Sequence, residues 1–184
     1  MIFESHCHLD DKRFDSDRDQ VIASLRQQGV NVLLNVGYDL NSSFRSIRLA
    51  EQYPEVYAAV GVHPHDAGSL SEEDWEKLWK LAIAPKVVAV GEIGLDYYRD
   101  LSPRNVQQEV FKRQLDLANQ LGLPVIIHNR DAHQDIINIL RTNTPSKGGV
   151  LHCFSGSWEI AKLALDLGFY ISIAGPVTYR NAVN

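Results

Sequence analysis

Long apolar runs, cysteines and clusters of basic residues are all scarce in this sequence of 184 residues. The longest apolar runs fall far short of the roughly 20 residues that a membrane-spanning helix needs. The first six residues, Met-Ile-Phe-Glu-Ser-His, lack the basic and apolar regions of a signal peptide. The two cysteines, Cys7 and Cys153, are too few for a disulfide framework. These absences predict a cytoplasmic protein that does not span a membrane and folds in a reducing compartment.

Basic residues are outnumbered by acidic ones, with 18 Lys and Arg against 23 Asp and Glu and a formal net charge of −5. Proteins that bind duplex nucleic acid tightly usually carry a basic face, and this sequence has no Lys/Arg cluster of that kind. A nucleic acid bound here must therefore be neutralised mainly by metal ions and a few placed cations. Because 45% of the residues are hydrophobic, we expect one globular domain over residues 1–184.

Strand-like and helix-like segments alternate along the chain, which predicts an α/β fold with a parallel sheet. The expected strands are 1–5, 30–36, 56–62, 87–90, 124–127, 149–153 and 169–174. The expected helices are 15–28, 41–53, 71–84, 102–121, 132–142 and 158–167, with a further one beginning at 179. No glycine-rich phosphate loop follows the first strand, which argues against a doubly wound open sheet. The three tryptophans, Trp75, Trp79 and Trp158, lie on expected helices and are predicted to pack in the core.

Histidines and one glutamate stand at the ends of the apolar strand runs, and the set comprises His6, His8, Glu92, His128 and His152. In a TIM-type (β/α) barrel the carboxyl ends of all strands face one mouth, where these side chains would converge. Imidazole and carboxylate groups bind Zn²⁺, Mn²⁺ and similar divalent ions. The pattern therefore predicts a metal-dependent hydrolase on a TIM-type barrel, with seven of the expected eight strands present.

Each of these ligand candidates has a simpler alternative. His6 and His8 are two residues apart in an extended segment, so both face one side and Cys7 faces the other. Glu92 is costly to bury without a cation, although a salt bridge to an arginine would also serve. His128 and His152 could be hydrogen-bonded core histidines, but two of them on successive strands favour metal binding.

Four further residues are candidates for contact with substrate. His63 and His65 flank Pro64 in the loop after the third strand, and Arg130 could clamp a phosphate. Arg130 could alternatively pair with Asp131 as an ordinary loop cation. Asp96, grouped with these candidates, could instead bond a ligand imidazole from behind or cap a turn.

The motifs Ser5–Asp10, Gly61–His65, Gly91–Tyr97, Val125–His128 and Leu151–Gly156 together resemble the TatD-like metal-dependent deoxyribonucleases, which belong to the amidohydrolase-type barrels. The resemblance implies hydrolysis of phosphodiester bonds, commonly as a 3′–5′ exonuclease, with single-stranded DNA or a small phosphodiester as substrate. It also implies two divalent metal ions, which could be Zn, Mn, Mg, Ni or Fe. One ion would be held by His6 and His8 and the other by His128 and His152, while Glu92 would bridge them and serve catalysis.

The family also places a metal-binding aspartate at the end of its last strand, and this sequence ends before such a strand. We therefore expect an incomplete barrel whose open edges could associate with another chain. Two other interpretations stay open. The chain could hydrolyse a small amide, lactone or phosphate ester, because fold does not decide substrate. It could also be a truncated metal-binding fragment with impaired catalysis.

Overall fold

The computed structural model describes residues 2–180 and 182, which form a seven-stranded sheet with the strands in chain order. Every neighbouring pair is parallel. A parallel sheet whose spatial order follows the chain throughout has no switch point, so it curls in one direction as a barrel wall. This arrangement confirms the prediction of a TIM-type barrel with seven strands, and it directs all seven carboxyl ends to one mouth.

The strands are β1 Ile2–Cys7, β2 Val30–Val36, β3 Val56–Val60, β4 Val87–Asp96, β5 Val125–Arg130, β6 Gly149–Leu151 and β7 Phe169–Ile171. The helices are α1 Arg18–Gln27, α2 Leu40–Gln52, α3 Glu72–Ala82, α4 Arg104–Leu121, α5 His133–Thr142 and α6 Trp158–Asp166. Short 3₁₀ helices occupy Lys12–Phe14, Pro64–Ser69 and Gly175–Thr178. The helix expected from 179 is not formed at 179 and 180, and residues 181, 183 and 184 lie outside the described part.

Strand β4 extends six residues beyond its predicted end at Val90. The apolar run stops at Val90, but pairing with β5 continues through Gly94 opposite His128 to Asp96 opposite Arg130. The backbone ladder therefore carries both strands past the point where the side-chain pattern becomes polar. As a consequence Glu92, Asp96 and His128 sit on rigid strands rather than in loops.

Two buried glutamines of α4 fix the backbone at the mouth. The side-chain carbonyl of Gln114 accepts from the Val62 N–H at 2.7 Å, and its amide donates to the Val62 carbonyl at 2.9 Å. Gln107 binds both backbone groups of Asp96 in the same way, at 2.9 and 3.2 Å. These bonds hold the ends of β3 and β4, and so they position His63 and Asp96.

The tryptophans do not all pack in the core, contrary to the sequence-based prediction. Trp75 is partly buried against the core beneath Arg113, but Trp79 is 38% exposed and Trp158 is 68% exposed. Trp158 is the first residue of α6, so it lies at the mouth end of the sheet instead of along the helix face that packs inward. Within the described residues, no helix combines the length and apolar character that crossing a bilayer requires.

Candidate metal centre

Glu92 is the centre of a cluster of imidazoles at the mouth. Its Oε2 atom lies 3.4 Å from Nε2 of His6 and 4.0 Å from Nε2 of His8. Its Oε1 atom lies 3.0 Å from Nδ1 of His128 and 3.9 Å from Nε2 of His63. Each carboxylate oxygen therefore faces a different pair of imidazoles, which is the arrangement that a bridging carboxylate needs.

Two groups of donor atoms lie close enough to hold a metal ion. The first comprises His6, His8 and Glu92, and the second comprises His63, Glu92 and His128, with donor atoms within 4.8 Å of one another in each group. His152 stacks on His6 with 3.4 Å between ring centroids. The structure thus brings together all five predicted ligands, but it places His152 beside the first group and His63 in the second.

Hydrogen bonds to the backbone determine which ring nitrogen of His8 and His63 carries the proton. Nδ1 of His8 lies 2.9 Å from the Val36 carbonyl, which only accepts, so Nδ1 is protonated and the Nε2 lone pair faces Glu92. The opposite holds for His63, whose Nδ1 accepts from the His65 N–H at 3.2 Å. Its proton therefore lies on Nε2, which makes His63 a hydrogen-bond donor toward the cluster.

Burial keeps several of these imidazoles neutral. It lowers the pKa of His63 to about 3 and the pKa of His152 to about 4, against the raising effect of Glu92. Burial alone would raise the pKa of Glu92, yet its contacts with His128 and His6 hold that pKa well below the usual range. The cluster thus combines an ionised carboxylate with neutral imidazoles at His63 and His152, and metal ligands require ionised carboxylates and neutral imidazoles.

His128 differs from the other imidazoles because carboxylates lie at both of its nitrogens. Nδ1 is 3.0 Å from Glu92 and Nε2 is 3.0 Å from Asp96. Burial disfavours its protonation, but the bonds to Glu92 and Asp96 outweigh burial and raise the pKa of His128. The position at Nδ1 is therefore one that attracts positive charge, whether a proton or a metal ion.

Asp96 is fully buried and does not line the cavity, which corrects its grouping with the substrate-contact residues. Its Oδ2 accepts from Nε2 of His65 at 2.9 Å and from Nε2 of His128 at 3.0 Å. Its Oδ1 accepts from the backbone N–H groups of Tyr98 and Arg99 at 3.0 and 2.7 Å. Asp96 thus supports His128 from behind and also caps a turn, and the His65 side chain contacts both Asp96 and the ring of His63.

The donor set fits a divalent metal. Glu92 is 6% exposed, and within the described residues no lysine or arginine forms an ion pair with it. Nδ1 of His6 and Nδ1 of His152 are buried without a hydrogen-bond partner in the same part of the chain. A buried carboxylate is destabilising unless a cation joins it. The arginine salt bridge considered from the sequence is therefore not formed, and the metal interpretation is favoured.

The cluster opens into a cavity of about 1110 Å³. Arg130 lines it and stacks its guanidinium 3.9 Å above the ring centroid of Tyr98, with no ion pair to Asp131 in the described residues. The lining residues that sequence reasoning missed include the buried Asn129 and the exposed Trp158. Asn129 follows His128 directly, and Trp158 follows the loop that contains His152. Their proximity to these motif residues is the sequence feature that could have identified them.

Cys7 points away from the cluster, as predicted, with its sulfur 3.3 Å from the Leu34 carbonyl.

Comparisons with known proteins agree with the motif resemblance. Residues 3–184 match the TatD related DNase family. The chain is 43% identical over 183 residues to the "uncharacterized metal-dependent hydrolase YabD" of Bacillus subtilis, covering 99% of this chain and 72% of that protein. It is 39% identical over 175 residues to the "3′-5′ ssDNA/RNA exonuclease TatD" of Klebsiella pneumoniae, covering 95% of this chain and 66% of that protein.

A solved structure gives the same answer for the fold. The TatD homolog YjjV of Escherichia coli superposes with a TM-score of 0.91 at 35% identity, covering 97% of this chain and 70% of that one. An amidohydrolase of Saccharomyces cerevisiae, at 20% identity, shares the fold with a TM-score of 0.77. This chain therefore spans about two thirds to 72% of the length of these curated relatives and of YjjV.

Proposed function

We propose, because the chain belongs to the TatD related DNase family, that it hydrolyses phosphodiester bonds of single-stranded nucleic acid from the 3′ end. The polarity and the strandedness are supported by relatives that are named 3′-5′ ssDNA/RNA exonucleases. The single observation that carries the chemistry is the position of Glu92, whose two oxygens face different imidazole pairs inside a cavity.

Two divalent ions would be held by the cluster, with Glu92 between them. His6 and His8 are the proposed ligands of one ion, and His128 is the proposed ligand of the other. His152 completes the imidazole set from the side of β6. Divalent ions in such a site lower the pKa of bound water and neutralise charge that develops on the phosphate.

The protein's own residues would bind and orient the scissile phosphate. Arg130 places its planar guanidinium at the cavity wall, where it stacks on the ring of Tyr98. A guanidinium oriented in this way can bind two phosphate oxygens at once. His63 offers a neutral Nε2–H donor, because its Nδ1 is occupied by the His65 N–H. We therefore assign His63 to the substrate phosphate, as the sequence predicts, rather than to a metal. Asp96 keeps His128 in one orientation and one tautomer.

The experiment is a matched pair of histidine variants, His128→Ala and His133→Ala. His133 lies outside the Glu92 cluster at the start of α5, so it controls for loss of an imidazole. We expect His128→Ala to lower metal content, measured by elemental mass spectrometry, and to abolish release of nucleotides from 3′-labelled single-stranded DNA with Mn²⁺ or Mg²⁺. Unchanged metal content and cleavage in His128→Ala would contradict the proposal, as would a wild-type chain that binds less than one ion and cleaves nothing.

The net charge of −5 favours one second candidate, hydrolysis of a small amide, lactone or phosphate ester. An acidic surface repels a polyanion but not a small neutral substrate. Parallel assays of single-stranded DNA and a panel of small esters on the same metal-loaded sample separate the two functions. Turnover of an ester with no cleavage of DNA would replace the proposed function by this one.

A further inference from the structure

The cavity at the mouth has two chemically different walls. One wall carries the histidines of the cluster, Glu92 and Arg130, whereas the other is formed by residues of α6 and of the segment after β7. The apolar members of that second wall include Trp158, Ile173, Val177 and Tyr179. A ligand that fills the cavity therefore meets polar and charged groups on one side and apolar groups on the other.

Four of the exposed large apolar side chains in the described part of the chain lie on this second wall. Trp158 is 68% exposed, Ile173 and Tyr179 are each 65% exposed and Val177 is 60% exposed. Single exposed apolar residues are ordinary on protein surfaces, but a contiguous group inside a cavity marks a binding surface. The apolar wall and the metal cluster line the same cavity, so a ligand that binds at the cluster also contacts the apolar wall.

A nucleotide has the required two-sided character. Its phosphate suits Arg130 and the metal cluster, and the faces of its base suit an indole ring. The volume of about 1110 Å³ slightly exceeds the range of about 300–1,000 Å³ for small-molecule sites, so the cavity has room for a whole nucleotide and not only for a phosphate. Stacking on aromatic side chains is also the way in which proteins hold single strands without reading their sequence.

We propose that Trp158 forms a base-stacking subsite for the nucleotide next to the scissile phosphate. This inference rests on the proposed function and specifies its substrate as a strand that carries bases, not a simple phosphate ester. Because every base has a stacking face, the subsite favours single-stranded over paired ends and discriminates little between the four bases.

The test compares base-containing and abasic substrates on wild type and variants. The probes are the octamer of thymidylate and the same octamer with abasic residues at its two 3′-terminal positions. Binding is measured by fluorescence anisotropy with Mn²⁺ present, on octamers whose phosphodiester linkages are replaced by a non-hydrolysable analogue, and kcat/KM is measured separately on the natural octamers. We expect Trp158→Ala to weaken binding of the thymidylate octamer by roughly 5- to 150-fold, the range for loss of one stacked base.

The abasic octamer separates stacking from a structural role. Trp158→Ala is expected to bind the abasic octamer as wild type does, and Trp158→Phe is expected to retain most of the preference for the base. The matched control is Trp79→Ala, an exposed tryptophan of α3 that does not line the cavity, which should change neither substrate. Equal losses on both octamers, or no loss on either, would overturn the stacking role.

The two proposals fail in different ways. If wild type cleaves neither octamer, the nuclease function fails, whereas the binding assay on the non-hydrolysable octamers still decides whether Trp158 contacts a base. If wild type cleaves both octamers equally well and Trp158→Ala does the same, the nuclease function stands and the subsite is disproved. Quenching of indole fluorescence by the octamer, present in Trp79→Phe and absent in Trp158→Phe, provides an independent readout of the same contact.

Discussion

Glu92 and Asp96 lie four residues apart on β4, and both are buried carboxylates that contact His128. They differ in the groups that contact their carboxylate oxygens. Asp96 accepts from two backbone N–H groups and two imidazoles, and its pKa is lowered to about 2 by these bonds in spite of burial. Among the described residues, the carboxylate of Glu92 faces only histidine side chains, and Glu92 lines the cavity. The comparison shows that burial alone does not identify a metal ligand. A candidate ligand must also have carboxylate oxygens that hydrogen bonds within the protein leave available for a cation.

The largest effect is expected from Glu92→Gln, which removes the negative charge between the two imidazole groups while preserving the shape of the side chain. We expect metal content to fall below one ion per chain. Changing an outer-shell partner of a metal typically costs about 10- to 100-fold in activity, and loss of Glu92 should exceed that range. Elemental analysis and cleavage of single-stranded DNA measure both effects.

Glu76→Gln provides the matched control, since Glu76 is an exposed residue of α3 far from the cluster in the fold. It should leave metal content and cleavage unchanged. Retention of both ions and of full activity in Glu92→Gln would remove the distinction between the two carboxylates, because Glu92, like Asp96, would then not be a metal ligand.

Asp96→Asn is expected to have the next largest effect, a loss of about 10- to 100-fold in metal affinity or kcat/KM. The amide can present its N–H₂ group to His128 or His65, which then lose the acceptor that fixes their tautomers. Metal should still bind at saturating concentration, in contrast to Glu92→Gln. Titration with Mn²⁺ during the cleavage assay shows whether activity returns.

Asp135→Asn is a suitable comparison for that variant, because Asp135 accepts from the Tyr97 hydroxyl and has no bond to the cluster. We expect its metal titration to follow that of wild type. An Asp96→Asn protein with the same titration curve as Asp135→Asn would contradict the supporting role of Asp96.

The positions of the candidate ligands at the ends of β1, β4, β5 and β6 could be predicted from the sequence, because each follows an apolar run. The TIM-type architecture could also be predicted, and the strand order confirms it. The end of β4 could not, since backbone pairing with β5 extends it beyond the apolar pattern. The burial of Asp96 was missed for the same reason, because it was expected in a loop.

Contacts between side chains on opposite sides of the mouth could also not be predicted from the sequence. Nothing in the spacing of His6 and His152 indicates that their rings stack, or that His63 and His128 approach the same oxygen of Glu92. Trp158 was assigned to the core by residue type, whereas its position at the first turn of α6 places it at the mouth. These contacts depend on the curvature of the sheet, which a single sequence does not specify.

A smaller effect is expected on stability when the support behind Asp96 is removed. Gln107→Leu preserves volume but leaves the Asp96 N–H and carbonyl and the Ser102 carbonyl without their partner. Leaving a buried polar group unpaired costs about 1–3 kcal/mol, and we expect the free energy of unfolding in urea to fall by that order. Gln134→Leu, at an exposed position of α5, should change it by much less, and equal values for the two variants would contradict the argument.

The smallest effect is expected from His65→Ala. His65 contacts Asp96 but does not line the cavity, although the sequence grouped it with the substrate-binding residues. After its removal Asp96 keeps the two backbone N–H bonds and His128, so kcat/KM should fall by less than the roughly 10-fold lower limit for outer-shell partners. The KM for single-stranded DNA should not change. A large rise in KM would show that His65 contacts the substrate after all. The surroundings of Asp96 would then belong to the substrate site, as those of Glu92 do.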